Sequence, residues 1–81
     1  MEFISQMSSL EVFTECYLAS LECDLRMAEW DKALTKEQNE KAEDNFYLAQ
    51  EHWSLVMREI KRRGLENEYY DYANFVCGMR L

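Results

Sequence analysis

An all-α protein is what this sequence predicts, and three observations carry the prediction. Proline is absent, glycine occurs only at Gly64 and Gly78, and apolar residues recur at spacings of three and four along most of the chain. Proline breaks helix interiors and glycine weakens them, so a chain lacking both before position 64 has few places to turn. The expected architecture is one domain over residues 1–81: an antiparallel helical hairpin, with helices at about 9–33 and 36–63, plus a shorter third helix at 66–78. This three-helix unit is expected to self-associate, because 48% of the residues are apolar and 14% aromatic, a large share for a domain with so small an interior.

The first helix is predicted to start at Ser8. Glu11 lies three residues on, the Ser-x-x-Glu spacing of a capping box, and Met7 and Val12 hold the two hydrophobic-staple positions. Val12, Cys16, Ala19, Cys23, Met27, Trp30 and Leu34 then form one stripe, and Leu10, Phe13, Tyr17, Leu21, Leu25 and Ala28 a second beside it. A helix with so wide an apolar arc needs neighbours on two sides.

Thr35 with Gln38 repeats the capping spacing, so a second helix should begin there; one uninterrupted helix with chain exchange between copies is the alternative. Its first turns, Lys36 to Asp44, are nearly all polar, and Ala42, Phe46, Ala49, Trp53, Val56 and Ile60 then face the first helix. Lys61-Arg62-Arg63-Gly64 provides the stop, cations beside the negative end of the helix dipole and a glycine for the left-handed cap. Leu65, Tyr69, Tyr72, Val76 and Met79 share one face of the third helix.

Sixteen acids against nine bases give a formal charge of −7, and the predicted pI is near 4.6. Such a chain is repelled by phosphate backbones, so direct nucleic-acid binding is not expected; a protein with a basic surface is the favoured partner. No run of 18 apolar residues exists, and the stretch through Met7 lacks a basic start, so neither a membrane span nor a secretory signal is read. Three cysteines, Cys16, Cys23 and Cys77, are an odd number without a disulfide pattern, which points to reduced thiols and a cytoplasmic location.

Catalytic and metal signatures are weak. The cysteines and His52 match no zinc spacing, and residue 49, three before His52, is alanine, which removes the Glu-x-x-His pattern of di-metal bundles. His52 has no orienting partner legible in the sequence, and no glycine-rich loop is present to cradle a phosphate. No enzyme, metal or cofactor is predicted.

The charge pattern is more informative. Residues 1–57 carry twelve acids and four bases, a net −8, with the carboxylates in lines: Glu11, Glu15, Glu22 and Glu29 on the first helix, Glu37, Glu40, Asp44 and Glu51 on the second. Members of such rows stand about 5–6 Å apart at i,i+4 and about 10 Å apart at i,i+7, the scale of phosphates along a nucleic acid. The leading expectation is therefore a small, acidic, non-catalytic regulator or inhibitor that presents these rows to a basic, nucleic-acid-binding surface of a protein, imitating the nucleic acid. Tyr47, Leu48, Leu55, Tyr69 and Tyr70 are the candidate contacts with a partner or a second copy. Its rival is a structural homo-oligomerisation module, a dimer or larger helical bundle whose acids only keep it soluble. Arg58, Lys61, Arg62 and Arg63 hold four of the nine cations within six residues, and helix capping accounts for them without a ligand.

Overall fold

The computed structural model describes residues 2–79, with side chains for 4–78. The elements are four α-helices, α1 (Glu2–Gln6), α2 (Ser9–Asp31), α3 (Lys36–Arg62) and α4 (Glu66–Met79), and no strand occurs among the described residues. The all-α class stands. The side chain of Met79, placed by its spacing on the α4 core face, lies outside the described residues.

Three helices were expected, and α1 is the addition. Five residues cannot sustain a helix alone, since nucleation is costly and few hydrogen bonds follow; tertiary contact holds this one. Ile4 is 7% exposed in the core, and the Arg63 guanidinium donates to the carbonyl oxygens of Ile4 and Ser5 at 3.1 and 3.2 Å. Those carbonyls sit at a helix C-terminus, where intrahelical donors run out.

The other boundaries follow local chemistry. Ser8 caps α2 in a complete capping box: Glu11 N–H donates to Ser8 Oγ at 3.2 Å and Ser8 N–H to Glu11 Oε1 at 2.9 Å. Thr35 caps α3 by accepting from Gln38 N–H at 3.0 Å, but the Gln38 side chain accepts from Leu34 N–H, one residue before the box position. With both side chains committed to starting α3, α2 stops at Asp31, and the chain takes two helices rather than one. Gly64, at φ 70, completes the C-terminal cap of α3, with Leu65 N–H bonded to Ile60 C=O and Gly64 N–H to Lys61 C=O. This pair of bonds is the Schellman arrangement, which glycine adopts without a Cβ penalty.

Glu15 of α2 meets His52 of α3, and further along Trp30 meets Phe46 and Asn39. Contacts therefore ascend one helix as they descend the other. The core gathers at one end of this pair, where Val12, Phe13, Cys16, Val56, Met57 and Ile60 are joined by Ile4 of α1 and Tyr69 of α4. There α4 crosses α2, with the Tyr69 and Tyr72 rings 5.8 and 5.7 Å from Phe13 and the Tyr72 hydroxyl 3.0 Å from Thr14 Oγ1. Elsewhere, among the described residues, only Ala19 and Ala42 are buried. The radius of gyration, 14.5 Å, exceeds the about 12 Å typical of a compact chain of this length.

Candidate functional site

The two predicted acidic rows have different fates. On α2 every member is engaged within the chain. Glu11 belongs to the capping box, and the hydrogen bonds from Ser8 lower its pKa. Glu15 Oε1 lies 2.7 Å from His52 Nε2, and Arg26 bridges Glu22 at 2.8 Å and Glu29 at 3.0 Å. On α3, by contrast, Glu37, Glu40, Asp44 and Glu51 are all exposed, and among the described residues none shares a side-chain hydrogen bond or ion pair. Tyr47 and Leu48, 52% and 65% exposed, stand between them, and Asp44, Tyr47, Leu48 and Glu51 line a shallow open hollow.

The five apolar candidates divide as well. Tyr69 is buried, as is Cys16, and burial pushes both groups towards higher pKa. Leu55 is half-buried beside the core and shares a hollow with Ile4 of α1, a neighbour its spacing did not reveal. Tyr47, Leu48 and Tyr70 remain exposed.

A residue not singled out from the sequence organises the basic cluster. Glu59 is 9% exposed and accepts from both Arg62 and Arg63, which lowers its carboxyl pKa to about 2. The i,i+3 and i,i+4 spacings were the available signal. Arg63 is thereby aimed at the α1 carbonyls, and Arg62 is paired, so both serve the fold. Arg58 and Lys61 stay exposed, with no ion pair among the described residues.

His52 does have an orienting carboxylate, Glu15, supplied by another helix. The hollow beside it is lined by Ala19, Glu22, Arg26, Asn45, Leu48, Ala49 and His52, which includes no hydroxyl or thiol for an imidazole to activate. An open groove of about 340 Å³ between α2 and α3 is lined mainly by Cys23, Met27, Phe46 and Trp53. Burial raises the Cys23 pKa, and the neighbouring Asp24 and Glu22 raise it further, so its thiolate is disfavoured. No group of three or more metal-ligating side chains occurs among the described residues, and none of their helices is long and apolar enough to cross a membrane. No protein-family model, curated protein or solved structure matches this chain.

Proposed function

We propose that this chain is a small non-catalytic regulator that docks on a basic surface of a protein through the outer strip of α3. Glu37, Glu40, Asp44 and Glu51 supply charge, and Tyr47 and Leu48 supply apolar anchoring. The observation that carries this reading is the contrast between the rows: Glu11, Glu15, Glu22 and Glu29 are shared with intramolecular partners, whereas Glu37, Glu40, Asp44 and Glu51 are exposed and share no side-chain bond among the described residues. Along a helix rising 1.5 Å per residue, Glu37, Asp44 and Glu51 recur about every 10 Å, an anionic track suited to a surface that ordinarily grips nucleic acid. The proposal rests on the α3 half of the two-row surface expected from sequence. The free thiols fit a reducing cytoplasmic setting.

A second reading, homo-oligomerisation, is favoured by one observation: Leu34, Leu48 and Phe75 are 92%, 65% and 68% exposed, apolar surface that a second copy would cover.

Affinity capture from lysate at two salt concentrations tests the first reading, using the natural chain and a variant carrying Glu40→Gln, Asp44→Asn and Glu51→Gln. A basic protein held at low salt, released at high salt and lost with the variant supports it. Equal retention by the neutralised variant contradicts it.

A further inference from the structure

The outer face of α3 is acidic at one end and basic at the other. Glu40 and Asp44 are exposed near its start, Arg58 and Lys61 near its finish, all on one continuous 27-residue helix. About 27 Å of helix separates Glu40 from Arg58, and Tyr47 and Leu48 lie near the midpoint. A surface whose charge reverses along its length is self-complementary under two-fold rotation, the relation that an isologous dimer interface requires.

We propose that the basic surface recognised by the α3 strip is that of a second copy of this chain, paired antiparallel through α3. Glu40 and Asp44 of each protomer then face Lys61 and Arg58 of the other; this register puts the axis near Gln50 and Glu51, with the two Glu51 carboxylates beside it and Tyr47 and Leu48 flanking it. The inference rests on the docking strip described above and names its partner. Two independent observations support it. The first is the charge reversal. The second is apolar exposure on the same face: Tyr47 and Leu48, 52% and 65% exposed, lie between the acidic and basic ends. Arg58 and Lys61 suit the role because Glu59 occupies Arg62 and Arg63 instead. Intermolecular pairing offsets, at the contact, the repulsion between two chains of charge −7.

Sedimentation velocity of the full chain over a range of concentrations provides the test. The acid-end variant carries Glu40→Lys and Asp44→Lys; the basic-end variant carries Arg58→Glu and Lys61→Glu. Each alone should weaken dimerisation by about tenfold or more, because like charges then face each other twice across the axis. Mixed together, the two variants should form a heterodimer as tight as the natural dimer, since positions 40 and 44 of each chain again face charges of opposite sign at 58 and 61 of the other. Circular dichroism on each variant checks that these exposed changes leave the helices intact. A natural chain that stays monomeric at low salt overturns the second-copy proposal, as does a mixture that fails to pair. A dimer indifferent to both variants also overturns it, by placing the interface elsewhere. Salt-sensitive capture of a different basic protein by a monomeric chain would leave the docking strip standing without the second copy. Loss of both dimer and capture would remove the strip too.

Discussion

The two ends of the α2–α3 pair carry similar apolar patterns and reach different results. Where α1 and α4 arrive, Val12, Cys16, Val56 and Ile60 are at most 1% exposed. At the connection end Trp30, Phe46 and Tyr47 pack ring against ring at 5.6–6.1 Å, yet Leu34 is 92% and Leu48 65% exposed. Periodicity states which side chains share a face, but burial also requires a third element to cover that face. Here α1 and α4 cover one end, and the opposite end leaves apolar and acidic surface exposed.

The strongest way to break this comparison is to excavate both ends. Ile60→Ala, in the four-helix core, should lower unfolding free energy by about 3 kcal/mol, read from denaturant midpoints; a loss below about 1 kcal/mol would mean that this end is as loosely packed as the other. Next comes Glu59. Its folded pKa, lowered to about 2 from an ordinary 4.5, means it adds stability at neutral pH that is lost as pH falls between those values. Glu59→Gln should remove that acid dependence and free α1, detectable as faster amide exchange at residues 4–6. Retention of the acid slope in this variant would assign it to other carboxylates.

At alkaline pH the signs reverse. Tyr69 and Cys16 both have raised pKa values through burial, so the fold favours their neutral forms. Stability is complete below their unfolded-state values, about 10 and 9, and declines as pH rises above them. Tyr69→Phe should flatten the decline, and an unaltered alkaline limb would exclude this origin. Ser8→Ala, removing the α2 cap, should cost about 1 kcal/mol. Smallest of all, Leu34→Ala at the uncovered end should change monomer stability by less than about 0.5 kcal/mol. A larger loss there would show that this end packs more tightly than its exposure indicates.

Much of the fold was legible because its signals are local. Ser8 with Glu11, Thr35 with Gln38 and the cations before Gly64 each mark a boundary within four residues. What escaped the sequence depends on contacts across the fold. The α1 helix is held through Arg63, some 58 residues away, and no capping residue announces it. Leu55 carried a surplus apolar side chain whose neighbour proved to be on α1.

The proposed docking surface was half legible. Rows of carboxylates show in the spacing, but their availability depends on neighbours. Arg26 sits at i,i+4 from Glu22 and i,i−3 from Glu29, so its neutralising role was readable locally. The partnership of Glu15 with His52 joins residues 37 apart, and only the packing of α2 on α3 reveals it.

Hydrogen exchange along the full chain, compared between dilute and concentrated solution, tests most directly the claim that the outer face of α3 is the docking surface. Association should slow exchange in peptides spanning residues 40–58 and leave residues 66–78 of α4 unchanged. Slowing confined to α4, or to α2 around its exposed Leu10, Leu18 and Leu25, would contradict the account.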